Sequence, residues 1–380
     1  MARLVYAHDG RSVYDELFLR SLRKSYELYL LTFHPSPSSV PFGVKLVKMF
    51  DLIPEIPLHP FEGIRMYSLA PFRALAFKRS VSKIKPDAVI GCWAITYGFY
   101  AATSDLHPFI LFVWGSDVLV YPKKYAPLGI FAAYALRRAD VVVVDSEIQK
   151  LAVMKFGCAR EKIIKFPWVD LKEIKNNIKQ KTETRRKLGL GEDDVLIISL
   201  RTHSPIYGVN YLIEAIPSVV RQERKAKFLI LGSGELTSKF KEQVIKSKLE
   251  NSVIFLGNVP HKDVTKYLNI SDIYVSTSLS DGTSASLLEA MACSLPSVVT
   301  DIPGNREWIQ DELNGFLIPT KNSGLLAEKI VELIKNQRLR GEMGRKALET
   351  VKTKVNWKRN IENLDATIKT MIHHKSELLS

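Results

Sequence analysis

The chain has 380 residues, 46% of them hydrophobic and 25% charged, and a formal net charge of +14. That length exceeds one comfortable core and points to two domains of roughly 150–200 residues, while the ordinary composition excludes a collagenous, low-complexity or disordered chain. The cysteines Cys92, Cys158 and Cys293 are scattered and form no CxxC pair, which excludes a disulfide framework and a cysteine zinc site and fits a reducing compartment.

Met1-Ala2-Arg3 leads straight into a strand-like segment at 4–7, so a soluble, cytoplasmic protein without a signal peptide is expected. Further strands are expected at 28–33, 88–91, 109–114, 141–145 and 162–166, with 3.6-period helical stretches such as 14–24 and 72–84 between them. Residues 40–60 are rich in proline and large apolar residues and read as a long loop or insertion. The longest uncharged run, 88–104, is broken by glycines and a threonine, so it reads as a buried strand plus a helix face, not a membrane span. Residues 171–188 are the most polar stretch and mark a domain junction.

A second alternating series follows, with strands expected at 195–200, 228–231, 253–256, 273–276, 297–300 and 315–318, and a final amphipathic helix at 357–372. Strand–helix alternation with Val/Ile runs argues α/β architecture: two doubly wound parallel-sheet domains facing a cleft, with ligands at the carboxyl ends of strands. The expected domains are 1–170, 171–356, and a C-terminal helix over 357–380 that crosses back to the first.

The most informative stretch is Asp281-Gly282-Thr283-Ser284, which runs into the Ala/Leu/Met-rich helical segment 285–292. Such a loop offers backbone N–H groups and the positive end of a helix dipole, an arrangement that holds phosphate. Asp281 opens the loop and Glu289 lies eight positions on, so a diphosphate held there leaves one acid for a sugar on each side. Ser286-Leu287-Leu288-Glu289 also fits a capping box, in which the glutamate bonds back to its own helix start. Arg201 ends a predicted strand, where a guanidinium can fork onto phosphate oxygens. Gly232-Ser233-Gly234 sits between strand and helix as a truncated dinucleotide loop, or as a tight turn. In the first half, His8-Asp9-Gly10-Arg11 ends the first strand, and Gly115-Ser116-Asp117 presents an acid or an Asx turn. The eight histidines show no metal spacing, and no metal is expected.

Together these segments resemble the retaining GT-B glycosyltransferases of glycosyltransferase family 4. The signature acid-x7-Glu followed by Ala-Met-Ala reads here Asp281-x7-Glu289-Ala290-Met291-Ala292. Around it stand Gly208-Val209, Leu231-Gly232-Ser233-Gly234, Phe255-Leu256-Gly257-Asn258-Val259, Pro303-Gly304-Asn305-Arg306-Glu307 and Asn314-Gly315-Phe316-Leu317. In the first domain, Trp114-Gly115-Ser116-Asp117, Val144-Asp145-Ser146 and Pro167-Trp168-Val169-Asp170 match as well.

The resemblance implies a metal-independent, cofactor-free hexosyltransferase that moves a sugar from a UDP- or GDP-linked donor to a glycan, lipid-linked or other hydroxyl acceptor, as in polysaccharide biosynthesis. Asp281 and Arg201 would act in catalysis, Asp281 on the transferred sugar and Arg201 on the diphosphate. Gly10, Tyr207, Gly232, Gly234, Asn258, Val259, Gly282, Thr283, Ser284 and Glu289 would bind the donor, with Glu289 on the ribose and 257–260 along the base. Trp114 and Asp117 would face the acceptor. The chain departs from the family in three places: Asp281 replaces the usual glutamate, Tyr207 replaces a phosphate-binding lysine, and Trp114 replaces a frequent histidine. These departures leave a non-catalytic sugar-nucleotide-binding subunit as the alternative. The basic helical segment 72–81 is a candidate for peripheral contact with anionic membrane at the inner face, and no nucleic-acid partner is expected.

Overall fold

The computed structural model describes residues 1–34, 36–38, 40–49, 69–174 and 178–379. Two compact units divide the chain: Met1–Trp168 with Lys358–Ser380, and Val169–Trp357.

The first unit is built on a seven-stranded sheet in the order β3-β2-β1-β4-β5-β6-β7. Its strands are β1 Arg3–Ala7, β2 Glu27–Thr32, β3 Lys45–Lys48, β4 Ala88–Cys92, β5 Phe109–Phe112, β6 Val141–Val144 and β7 Ile163–Lys165. Every pairing is parallel. Strands such as Phe-Ile-Leu-Phe in β5 and Val-Val-Val-Val in β6 are buried at every position, as a sheet covered on both faces requires. β3 corrects the sequence reading of 40–60 as loop at its start. Among the described residues it pairs with β2 alone, shows the pattern exposed–exposed–half-buried–exposed, and carries a lysine at each end, which suits an edge strand. Residues 50–60 of that segment lie outside the described residues. The last helix, Trp357–Leu379, belongs to this unit. Leu364 and Ile368 are fully buried, and Tyr26 Oη donates to the Asp365 carbonyl at 3.3 Å.

The second unit holds a six-stranded parallel sheet in the order β10-β9-β8-β11-β12-β13. Its strands are β8 Val195–Leu200, β9 Ala226–Leu231, β10 Val253–Gly257, β11 Ile273–Ser276, β12 Ser297–Thr300 and β13 Gly315–Ile318. The polar stretch after 171 contributes a helix here, Ile178–Lys187. Arg185 anchors it by donating to the Ile270 and Asp194 carbonyls at 2.8 and 2.6 Å.

Both sheets reverse their winding once, between β1 and β4 in the first unit and between β8 and β11 in the second. A crevice opens at the carboxyl ends of strands at such a switch point, and ligands settle there. Arg201 follows β8, and the stretch 277–284 follows β11. The second-unit candidates therefore gather where the topology makes room.

Candidate nucleotide-sugar site

The sequence places Arg201 one residue past β8, where its side chain crosses to the end of β11. Its Nε donates to Ser276 Oγ at 3.0 Å, and its Nη2 meets Asp281 Oδ2 at 2.5 Å. The two charged side chains keep only 10% and 19% of their surface exposed. Burial, the largest single influence, disfavours the guanidinium's charge, but the facing Asp281 carboxylate together with Tyr274 and Tyr207 outweighs it and raises the Arg201 pKa.

Tyr207 lies beneath this pair, with the Arg201 Cζ 5.1 Å from its ring centroid. The ring's place is set by the backbone. Tyr207 closes a short turn, Pro205–Tyr207, and Gly208 follows in the left-handed region at φ 58°. A Cβ on Gly208 would stand 2.3 Å from the Thr277 carbonyl oxygen, so only glycine lets the two segments approach. The contact is zipped by Leu279 N–H donating to the Ile206 carbonyl at 2.8 Å.

The loop Gly282–Ser284 is packed as tightly. A Cβ on Gly304 would lie 2.1 Å from the Gly282 carbonyl oxygen, which explains the glycine after Pro303. Thr283 and Ser284 are 7% and 2% exposed. Ser284 is the N-cap of the helix Ala285–Ala292, its hydroxyl accepting from Leu287 N–H at 3.3 Å. The cap therefore lies two residues before Ser286, and Glu289 makes no capping box. Its carboxylate meets His261 Nε2 at 2.6 Å instead. His261 opens the helix His261–Ile270, directly after Val259-Pro260. No spacing rule links residues 28 positions apart, so sequence reasoning missed this partner, as it missed Ser276.

Gly232 and Gly234 serve the same crowded edge. Gly232 has φ 101°, and a Cβ there would lie 2.2 Å from the Arg201 carbonyl oxygen; a Cβ on Gly234 would lie 2.5 Å from that of His203. The tight-turn reading of this pair is thus sufficient to explain both glycines. Asn258 is exposed, and Val259 packs against the apolar cluster around Leu196 and Leu287.

Gly10, Trp114 and Asp117 lie in the first unit. Gly10 turns the chain after β1 at φ 71°. Arg11 pairs with Asp9 at 3.2 Å. Asp117 does not present an acid: its carboxylate is fully buried and accepts from Ala94 N–H at 2.7 Å and Trp114 N–H at 3.1 Å. Burial pushes its pKa up to about 6 despite these bonds. Trp114 stacks on His8 at 4.4 Å and packs edge-on with Tyr14 and Trp168. His8 in turn holds Asp15 through Nδ1 at 2.8 Å, and Asp15 also accepts from Tyr6 Oη and Ser12 N–H. Among the described residues, His8, Asp9 and Asp15 have ligand-type atoms within 4.8 Å of one another, but these contacts already engage all three.

Comparison with known proteins fits this arrangement. The family described as glycosyl transferases group 1 matches residues 180–350, and glycosyl transferase 4-like matches 5–146. The chain resembles the group 1 glycosyltransferases and has the GT-B fold. An uncharacterized glycosyltransferase of Methanocaldococcus jannaschii is 33% identical over 252 residues, covering 66% of this chain and 65% of that protein. The N-acetyl-alpha-D-glucosaminyl L-malate synthase of Bacillus anthracis is 24% identical over 237 residues, covering 57% and 61%. The putative teichuronic acid biosynthesis glycosyltransferase of Bacillus subtilis is 27% identical over 291 residues, covering 75% and 71%. The first two matches thus span less than two thirds of those relatives. Among solved structures, Anabaena HepE in complex with UDP and glucose superposes with a TM-score of 0.79 at 18% identity, over 97% of this chain and 100% of that one. WaaG, a glycosyltransferase involved in lipopolysaccharide biosynthesis, gives 0.77 at 15% identity, over 96% and 99%.

Proposed function

We propose that this group 1 glycosyltransferase moves a hexose-type sugar from a UDP- or GDP-linked donor to a hydroxyl of a glycan or lipid-linked acceptor, with retention of anomeric configuration. The observation that carries the reading is the Arg201–Asp281 pair at the β8/β11 switch point, beside the Gly282–Ser284 loop and the start of the helix Ala285–Ala292. Arg201 and the helix start meet the charge that develops on the departing diphosphate, a preorganised electrostatic contribution that needs no metal. Glu289, held by His261, receives the ribose hydroxyls, and Asp281 hydrogen-bonds the transferred sugar. The acceptor oxygen forms its bond to the anomeric carbon as the bond to diphosphate breaks, and the diphosphate oxygens take the acceptor's proton.

A donor panel tests this directly. One nucleotide sugar should raise the melting temperature, because a ligand that binds only the folded state stabilises it. Glu289→Ala should then abolish most of that shift, and Arg201→Ala should slow transfer to an acceptor pool. Unchanged donor binding in the first variant and full turnover in the second contradict the assignment. Product anomers resolved by NMR decide between retention and inversion.

The second reading, a non-catalytic donor-binding subunit, draws on Tyr207 standing where the resembled family has a lysine, and on Arg201 being engaged by Asp281. Donor binding without transfer or donor hydrolysis favours it. Membrane contact is proposed for the helix Ala70–Ile84, whose Phe72 and Leu75 are 59% and 48% exposed beside exposed Lys78 and Arg79. Among the described residues no helix is long and apolar enough to cross a membrane. Flotation with anionic liposomes, lost on reversing the charges of Lys78 and Arg79, supports the contact; equal flotation of both proteins refutes it.

A further inference from the structure

The departure at Tyr207 has a geometry of its own. Arg201 is nine-tenths buried and fixed on three sides: its face lies over the Tyr207 ring, its Nε on Ser276, and its Nη2 on Asp281. Nη1 has no recorded partner among the described residues. The Tyr207 backbone is held by the close approach of Gly208 to Thr277 and by Thr277 Oγ1, which donates to the Tyr207 carbonyl at 3.4 Å, and Tyr207 packs against the apolar cluster around Val209 and Leu212.

In this state the pair carries no net charge, since the guanidinium and the carboxylate cancel. A diphosphate that takes both Nη1 and Nη2 as a fork must displace Asp281 from Nη2. During that exchange Arg201 loses one of its three supports. What remains is a single hydrogen bond to Ser276 and the aromatic face. The ring supports the guanidinium, 5.1 Å from its Cζ, without taking up any of its N–H donors, which leaves them for a fork onto oxygens.

We propose that Tyr207 is a positioning residue for the diphosphate: its ring holds Arg201 in place while the guanidinium passes from Asp281 to the donor. One cation on an aromatic support thus serves a position where the resembled family uses a second cation. This inference rests on the nucleotide-sugar reading above.

Calorimetric titration with UDP and with uridine separates the possibilities. Tyr207→Phe keeps the ring and should bind UDP within about twofold of the wild type, whereas Tyr207→Leu should weaken UDP about tenfold. Uridine, which lacks the diphosphate, should bind equally to all three. In an Arg201→Ala background, Tyr207→Leu should cost nothing further, because the two act as one unit. An equal loss for uridine and UDP, an additive loss in the double variant, or unchanged UDP binding in Tyr207→Leu overturns the inference and leaves the nucleotide-sugar reading standing. A wild-type protein that binds none of UDP, GDP and ADP overturns that reading and this inference with it.

Discussion

Arg201 and Asp281 pair with each other, and under the proposed function this pairing sets an unusual sign for one substitution. Asp281→Asn removes a carboxylate that competes with diphosphate for the guanidinium and repels it. UDP should therefore bind several-fold tighter to this variant, by about 1 kcal/mol, even as sugar transfer slows; weaker UDP binding in a titration contradicts the competition. His8 gives a pH-dependent counterpart in the first unit. Burial alone would lower its pKa, but Asp15, with smaller contributions from Asp9 and Asp117, raises it above the usual value. A raised histidine pKa stabilises the fold fully below about pH 6.5, and that stabilisation is lost as pH rises through the higher folded value. The His8 ring followed by NMR should titrate above 6.5 in the wild type, and Asp15→Asn should move the midpoint down, since burial then dominates. An unmoved midpoint refutes the pairing. At this scale, the placement of Arg201 at a strand end and of Asp281 and Glu289 around a loop–helix junction was legible in the sequence, because such junctions announce themselves locally. The buried role of Asp117 could not, because its acceptor sites are filled by Ala94 N–H, 23 residues away.

Elements were legible where the sheet buries both faces. In the second unit the expected 195–200, 273–276, 297–300 and 315–318 coincide with β8, β11, β12 and β13, since continuous apolar runs bounded by polar residues leave little choice. β3 escaped because an exposed edge strand with lysine at both ends carries no apolar period. The helix start at 285 was ambiguous for a different reason: Ser284 and Ser286 both satisfy a cap, and only the backbone decides. Ser284→Ala should cost about 1 kcal/mol in chemical denaturation, whereas Ser286→Ala should leave the helix start intact; the reverse order of effects refutes the assigned cap. Gly232→Ala should be worse, on the order of 2–3 kcal/mol, because its Cβ meets the Arg201 carbonyl in a left-handed turn. A neutral Gly232→Ala would mean that the two loops do not pack as described.

At the scale of the whole molecule, two parallel sheets each reverse once, and the second places Arg201, Tyr207, Asp281 and Gly282–Ser284 on the loops that follow β8 and β11 at its reversal. That much follows from alternation of strand and helix, because right-handed crossovers leave few ways to wind such a sheet. Sugar, base and acceptor are not written at this level, because they depend on loop side chains. The central claim is that the β8/β11 reversal binds a nucleoside diphosphate. A crystal structure of the chain with UDP tests it most directly. The account predicts diphosphate oxygens at hydrogen-bonding distance from Arg201, the Arg201–Asp281 pair opened, and ribose hydroxyls on Glu289. UDP bound elsewhere, or an empty reversal with Arg201 still paired to Asp281 at saturating nucleotide, would contradict it.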